Sequence, residues 1–321
     1  MSSPRVSVAL CTRNGARFLR EQLDSLAAQS LPPAEIVACD DASEDVTRGI
    51  LEEFARQTGF PVQIHANPAA LGVARNFERA IGLCSGDIIA LADQDDVWHE
   101  DKLARLAAAL SAPKVQAVFS DAKVVDADLA PLGYGMWQRV RFTPGEQRRL
   151  AQGDGFAVLL KHRIVTGATL AFKSSLRGAA LPIPDGWPHD AWLALIAASQ
   201  DGLAAIDAPL VAYRQHGSNA VGGTRKSFLT EANDALCIDR AAWYREELVL
   251  WRELAARLQT QFAPPAAREM LAEKISHLER RANLPAARWQ RIPGVLRELS
   301  SGGYARFARN WGSVAIDLLV R

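Results

Sequence analysis

Ile88-Ile89-Ala90-Leu91-Ala92-Asp93-Gln94-Asp95-Asp96-Val97-Trp98 is an apolar run that stops abruptly in acid. Its first half is short and aliphatic, as suits a buried strand. Three carboxylates then fall within four positions and repel one another unless a cation or hydrogen-bond donors offset them. If the chain stays extended, alternate side chains point the same way, so Asp93 and Asp95 face one side and Asp96 the other. Oxygen ligands so placed suit Mg2+ or Mn2+, ions that commonly keep positions open for substrate phosphates. A structural reading competes: Asp95 and Asp96 would cap a helix expected over residues 99–110. A cap uses one carboxylate, however, and three are present.

On either side of this stretch, short β-branched runs alternate with longer helical patterns. Residues 6–11, 35–39, 62–65, 87–92 and 115–120 read as strands, and the segments between them carry apolar residues at helical spacing. The first helix shows Phe18, Leu19, Gln22, Leu23, Leu26 and Ala27 on one face before Leu31-Pro32-Pro33 stops it. The series is βαβ and predicts an α/β fold, a mostly parallel sheet covered by helices. Residues 128–155, rich in Pro, Gly and aromatics, read as an irregular surface excursion. Residues 167–172 then read as a strand, 190–198 as a helix and 203–213 as one or two strands. The sheet domain is expected over residues 1–222 and a helical C-terminal region over 223–321. There Leu229, Leu236, Trp243 and Leu250 recur every seven residues, joined by Leu254 and Leu258 in one apolar stripe.

Composition narrows the function classes. The chain has 321 residues with 37 basic against 36 acidic side chains, so no single-sign field suggests a polyanion-coating role. Cys11, Cys39, Cys84 and Cys237 form no zinc-like spacing and read as buried thiols. No apolar run is long enough to span a bilayer, and the first residues carry no secretory signal, so a cytoplasmic location is expected.

A second acidic cluster, Asp40-Asp41-Ala42-Ser43-Glu44-Asp45, follows the second strand, at the strand edge where open α/β sheets collect ligands. Asp41 with Glu44 could form a capping box, or the aspartates could accept from a nucleobase N–H or a ribose hydroxyl. The first strand ends in Cys11-Thr12-Arg13-Asn14-Gly15, which is neither a dinucleotide fingerprint nor a Walker loop. Arg75 and Asn76 could reach the same edge and counter phosphate charge; an isolated arginine is also a common solvated surface residue.

Taken together, the Thr12-Arg13-Asn14-Gly15 turn, the Asp40-Asp41-Ala42-Ser43 turn, Gly72-Val73-Ala74-Arg75-Asn76 and Asp93-Gln94-Asp95-Asp96-Val97-Trp98 resemble, in order and spacing, the inverting family 2 glycosyltransferases of GT-A fold. The resemblance covers residues 5–222. It extends to Thr166-Gly167-Ala168-Thr169-Leu170, His189-Asp190-Ala191-Trp192 and Tyr213-Arg214-Gln215-His216-Gly217-Ser218-Asn219. By position it implies that Thr12 and Asp41 contact the nucleoside, with Arg75 on phosphate. It further implies that Asp93 and Asp95 hold metal and diphosphate, that His216 joins them when its loop closes, and that Asp190 is the general base. The family usually places Glu before that Asp, where this chain has His189; the base is kept, and the orientation of the acceptor is put in question.

The Asp-Gln-Asp-Asp form is similar to rhamnosyltransferase-like sequences, which implies a dTDP- or UDP-linked donor, first of all dTDP-L-rhamnose. The acceptor would be a saccharide or lipid-linked hydroxyl, as in cell-surface polysaccharide synthesis. Arg280, Arg281, Arg288, Arg291, Arg297, Arg306 and Arg309, interleaved with Trp289, Tyr304, Phe307 and Trp311, could lie on anionic lipid or form a solvated face or homo-oligomer contact. No nucleic-acid-binding motif accompanies them. Two rivals are weaker. A non-catalytic nucleotide-sugar-binding scaffold needs no general base, and a sugar nucleotidyltransferase would need a Gly-rich, Arg-containing loop after the first strand.

Overall fold

Every residue from Val6 to Thr12 is buried, so this strand must lie inside a sheet covered on both faces. In the computed structural model, which describes residues 4–217, 239–260, 263–309 and 311–320, it does. The strands are β1 (Val6–Thr12), β2 (Glu35–Asp40), β3 (Val62–Ala66), β4 (Ile88–Asp93), β5 (Val97–Trp98), β6 (Ala117–Val125), β7 (Pro131–Gly135), β8 (Leu170–Lys173) and β9 (Leu203–Arg214). They form one sheet ordered β3-β2-β1-β4-β8-β6-β9-β5, with β7 paired to β6. β1 to β4 are mutually parallel, as are β6 and β9, whereas β5, β7 and β8 run antiparallel to their neighbours.

The helices Leu19–Ala27 and Val73–Leu83 lie between consecutive parallel strands, as a right-handed crossover requires. Leu19, Leu23 and Leu26 enter a core built from Val8, Leu10, Ile36, Ala90, Leu103 and Val118.

Four readings are corrected. The helix after the acidic stretch starts at Lys102 with Asp101 at its N-cap, so Asp95 and Asp96 cap nothing. The helix after β2 starts at Thr47, and no Asp41–Glu44 capping box forms. Residues 128–155 are ordered, with β7 followed by the helices Met136–Arg139 and Pro144–Ala151. Trp137 and Phe142 pack edge-on against each other at 5.1 Å and both meet Phe119, at 6.0 and 5.8 Å, giving this excursion a core of its own, and Thr143 with Glu146 forms a capping box. Finally, the buried stripe of the helix Arg240–Thr260 is Tyr244, Leu248, Trp251, Leu254 and Leu258, while Trp243 is 41 % exposed and Leu250 only half-buried. A strict seven-residue repeat drifts against the 3.6-residue turn, which moves the contact face. Leu229, Leu236 and Cys237, and the expected boundary at 222/223, lie outside the described residues; Cys11, Cys39 and Cys84 are buried free thiols.

The chain divides into two compact units, Met1–Gly153 with Ile164–Ser218, and Asp154–Arg163 with Asn219–Arg321. A short helix, Gly155–Lys161, thus belongs with the C-terminal helices. That second unit is organised around Asp317, which is fully buried and accepts from the Tyr244 hydroxyl at 2.8 Å, Arg281 Nε at 2.6 Å and the Tyr304 hydroxyl at 2.6 Å. Arg291 is also buried and donates to the Asp317 and Val320 carbonyls. The expected basic, aromatic tail is therefore split: Arg281, Arg291, Tyr304 and Phe307 are interior, and Arg288, Arg297, Trp289 and Trp311 are exposed.

Candidate active site

Strand register places the two acidic clusters on one rim. Cys11 pairs with Cys39 on β2 and with Asp93 on β4, and Thr12 pairs with Asp40, so three adjacent parallel strands end together.

At the end of β2 the two aspartates part company. Asp40 is fully buried and accepts from the Thr12 hydroxyl at 2.9 Å, the Ser43 N–H at 2.9 Å and the Ser43 hydroxyl at 2.5 Å. It tightens a turn that holds Ala42 at φ 59°, a left-handed value costly for a residue with a Cβ. Asp41 accepts from Asn67 Nδ2 at 2.7 Å, the Leu71 N–H at 2.7 Å and the Gly72 N–H at 2.9 Å. Gly72 lies at φ 84°, which lets its N–H turn toward this carboxylate at the start of the helix Val73–Leu83. A carboxylate offers about four acceptor positions, so Asp41 keeps about one for a ligand N–H.

The acidic stretch turns at Gln94–Asp95, so the expected alternation of Asp93 and Asp95 against Asp96 does not apply. Gln94, unassigned by sequence reasoning, accepts from the Arg13 N–H at 2.7 Å and donates to the Arg13 carbonyl at 3.0 Å, clamping the turn after β1. A Cβ on Gly15 would meet its side chain at 2.2 Å, so any side chain there would displace the Gln94 clamp. Asp96 is buried and accepts the Arg214 N–H at 3.0 Å, while its Oδ2 has no hydrogen-bond partner.

Arg214, at the end of β9, is the residue sequence reasoning missed. It is buried, donates from Nε to the Asp95 carbonyl at 2.8 Å, pairs with Glu21 at 2.5 Å and lies over the Phe18 ring. Its place in Tyr213-Arg214-Gln215-His216 was the available signal. Two residues on, His216 Nε2 lies 2.8 Å from Asp95 Oδ2, with its ring on Phe18 at 4.7 Å. Ser218 and Asn219 of the expected closing loop lie outside the described residues.

Asp190 sits in the first turn of the helix Pro188-capped His189–Ala198, where a negative side chain faces the positive helix end. Its Oδ2 accepts the Gly167 N–H at 2.9 Å and its Oδ1 the Ala191 N–H at 2.7 Å. Burial, then the negative charges of Asp95 and Asp190, push Asp93 up to about 7, against the opposing pull of Lys102. Lys102 is itself fully buried, donating to the Ala168 carbonyl at 2.5 Å over the Trp98 ring; desolvation holds its pKa well below the usual lysine value. His189 is buried, stacked on Phe77 at 4.0 Å and held below its ordinary pKa by burial, a packing residue with no hydrogen bond to Nε2.

Arg75 is not brought to this rim by any contact; its guanidinium pairs with Glu78 at 2.8 Å and Asp185 at 2.7 Å. Among the described residues no three His, Cys, Asp or Glu side chains form a ready metal cage. Asp95 and His216 stand 2.8 Å apart, and Asp95 lies two residues along the chain from Asp93. Two carboxylates are as many as Mg2+ commonly takes from protein when substrate phosphates complete its shell.

The chain matches the family described as glycosyl transferase family 2 over residues 7–159. It is 29 % identical over 253 residues to the dTDP-rhamnosyl transferase RfbG of Shigella flexneri, covering 74 % of this chain and 82 % of that protein. It is 31 % identical to the putative glycosyltransferase EpsE of Bacillus subtilis over 109 residues, 34 % of this chain and 39 % of the relative. Among solved structures it is similar to S. aureus TarS 1–349 in complex with UDP-GlcNAc, with TM-score 0.59, 15 % identity, and 91 % of this chain and 79 % of that one covered. It is also similar to the mannosyltransferase PcManGT of Pyrobaculum calidifontis in complex with GDP-Man and Mn2+, with TM-score 0.56, 24 % identity, and 95 % and 76 % covered.

Proposed function

Residues 7–159 are a glycosyl transferase family 2 domain in a chain of GT-A fold, and from that premise we propose that the protein moves a sugar from a nucleoside diphosphate donor to an acceptor hydroxyl with inversion at the anomeric carbon. The observation that carries this reading is the pairing of an acidic strand-end turn, in which Asp95 meets His216 at 2.8 Å, with a carboxylate, Asp190, held separately by the Gly167 and Ala191 N–H groups.

Asp190 is the general base. Its two backbone donors fix the orientation of the carboxylate, and it accepts the proton of the attacking hydroxyl, a role that contributes about 10² to 10⁴-fold in general. The acceptor oxygen then attacks the face opposite the leaving diphosphate, and no covalent sugar intermediate forms. Asp41 offers its remaining acceptor position to a pyrimidine N–H. Thr12 supports that pocket by holding Asp40.

Asp93, Asp95 and His216 would hold Mg2+ or Mn2+. Their oxygens and imidazole suit such an ion, and the burial that raises Asp93 is a penalty a cation relieves. When bound, it would stabilise the charge growing on the departing diphosphate. Arg75 joins a phosphate only by giving up Glu78 or Asp185.

The likeness to a dTDP-rhamnosyl transferase favours dTDP-L-rhamnose as donor, with a saccharide or lipid-linked acceptor of cell-surface polysaccharide synthesis. No helix among the described residues is long and apolar enough to cross a membrane. The test is a panel of dTDP-, UDP- and GDP-sugars with Mg2+ or Mn2+, read by thermal shift and by nucleotide release. Metal-dependent stabilisation and release with dTDP-L-rhamnose are expected. Response to a GDP-sugar alone would overturn the donor assignment, stabilisation without release would favour a scaffold, and indifference to all would overturn the transferase reading.

A further inference from the structure

The helix Arg288–Ser300 is inside out in polarity. Arg291 and Glu298 point into the protein and are buried, while Trp289, Ile292 and Leu296, spaced three, four and seven apart, are exposed. That spacing sets all three on one solvent-facing stripe. The helix Trp311–Leu319 does the same: Ser313, Val314 and Asp317 are buried, and Trp311 and Leu319 are exposed. The two helices pack together, Arg291 of the first donating to the Asp317 carbonyl of the second, and Val295 and Val314 share one small core. Trp289 and Trp311, at 71 % and 76 %, are the most exposed large apolar side chains among the described residues. Packing does not explain them, since the inner faces already fill that core.

Charge identifies what this face meets. Between residues 281 and 320 the acids are Glu298 and Asp317; Glu298 is engaged by His277 and Arg280, Asp317 by Arg281 and two tyrosines, and both are buried. The charges that reach the surface from this segment, Arg288, Arg297, Arg306 and Arg309, are all positive. A surface with exposed tryptophans, aliphatic neighbours and arginines, with both carboxylates of its own segment withdrawn and the exposed Glu273 paired to Arg306, complements a layer that is apolar beneath an anionic skin. A second copy of this chain would bring the same positive charges against themselves.

We infer that the exposed face of Arg288–Ser300 and Trp311–Leu319 docks on an anionic lipid surface, with Trp289 and Trp311 as its interfacial anchors. This inference stands on the C-terminal helices alone and does not depend on the transfer reaction.

The test uses the full chain with vesicles of phosphatidylcholine alone and with 30 mol % phosphatidylglycerol, about 10 Å Debye length at 0.1 M salt setting the low-salt arm. Expected are flotation with the anionic vesicles only, a blue shift of tryptophan emission on binding, and a fall of tenfold or more in bound fraction for Trp289→Ser/Trp311→Ser and for Arg288→Glu/Arg297→Glu. Because these side chains are exposed, both variants should keep the parent's melting temperature and nucleotide release. No flotation with anionic vesicles overturns the inference, as does equal binding by parent and Trp289→Ser/Trp311→Ser. A dimer in sedimentation velocity that this tryptophan variant converts to monomer also overturns it, by giving the face to a second copy.

Discussion

His216 Nε2 and Asp95 Oδ2 stand 2.8 Å apart although 121 residues separate them, because β9 returns alongside β5 and delivers the histidine to the acidic turn. The pair orients the Asp95 carboxylate. Removing the ring in His216→Ala should raise the Mn2+ concentration for half-maximal activity by about 10 to 100-fold, the range seen when groups supporting a metal site are lost. A metal titration of nucleotide release checks this; an unchanged midpoint would detach His216 from the site. Chelation with EDTA should abolish release in both proteins and Mn2+ should restore it.

Asp190→Asn keeps shape and loses basicity. Donor-induced thermal stabilisation should survive while turnover falls by about 10² to 10⁴-fold. Near-normal turnover would remove Asp190 from the mechanism.

Gly167 has no room for a side chain: its Cβ would lie 2.8 Å from His189 Nε2, and His189 is pinned on Phe77. Gly167→Ala should therefore cost about 1–3 kcal/mol in denaturant unfolding. It should also lower kcat, because the same Gly167 N–H holds Asp190. The double variant with His189→Ala should lose less stability than the sum of the two single losses, because the clash is relieved; a single Gly167→Ala variant as stable as the parent would refute the packing account.

Asp317 is the hub of the C-terminal unit, and Asp317→Ala leaves the buried Arg281 guanidinium without its carboxylate. Losing one partner of a buried pair costs about 3–5 kcal/mol. Chemical denaturation of the full chain reads the loss.

His277 is fully buried, and desolvation holds it down to about 4 despite its 2.6 Å contact with Glu298. The unfolded chain therefore binds more protons between pH 6.5 and 4, and stability is lost as pH falls through that window, by up to about 3 kcal/mol. Glu298, held below its ordinary value chiefly by its hydrogen bonds with Arg280 and His277 against burial, adds a further loss at lower pH. In melts from pH 7 to 4.5, His277→Gln should show a flatter profile than the parent.

The parallel half of the fold was legible in the chain because β-branched runs and helical stripes alternate at local range, and the strand ends carry their acids with them. That is why Asp41, Asp93 and Asp95 could be placed on one rim before any tertiary contact was known. Residues 128–155 were not legible: their order comes from Trp137 and Phe142 meeting Phe119, a contact no local pattern encodes. The same holds for Arg214, whose hydrogen bond to the Asp95 carbonyl and ion pair with Glu21 join segments more than a hundred residues apart.

From the linear chain alone came the strand series, the motif order and the identity of the acids, all set by neighbours a few residues away. The tertiary structure alone decided which donors each of the two adjacent aspartates takes, that Arg75 is held by Glu78 and Asp185, and which arginines of the C-terminal stretch are interior. Those outcomes depend on burial and on which partners arrive from distant strands and helices, and desolvation obliges each buried polar group to find such partners.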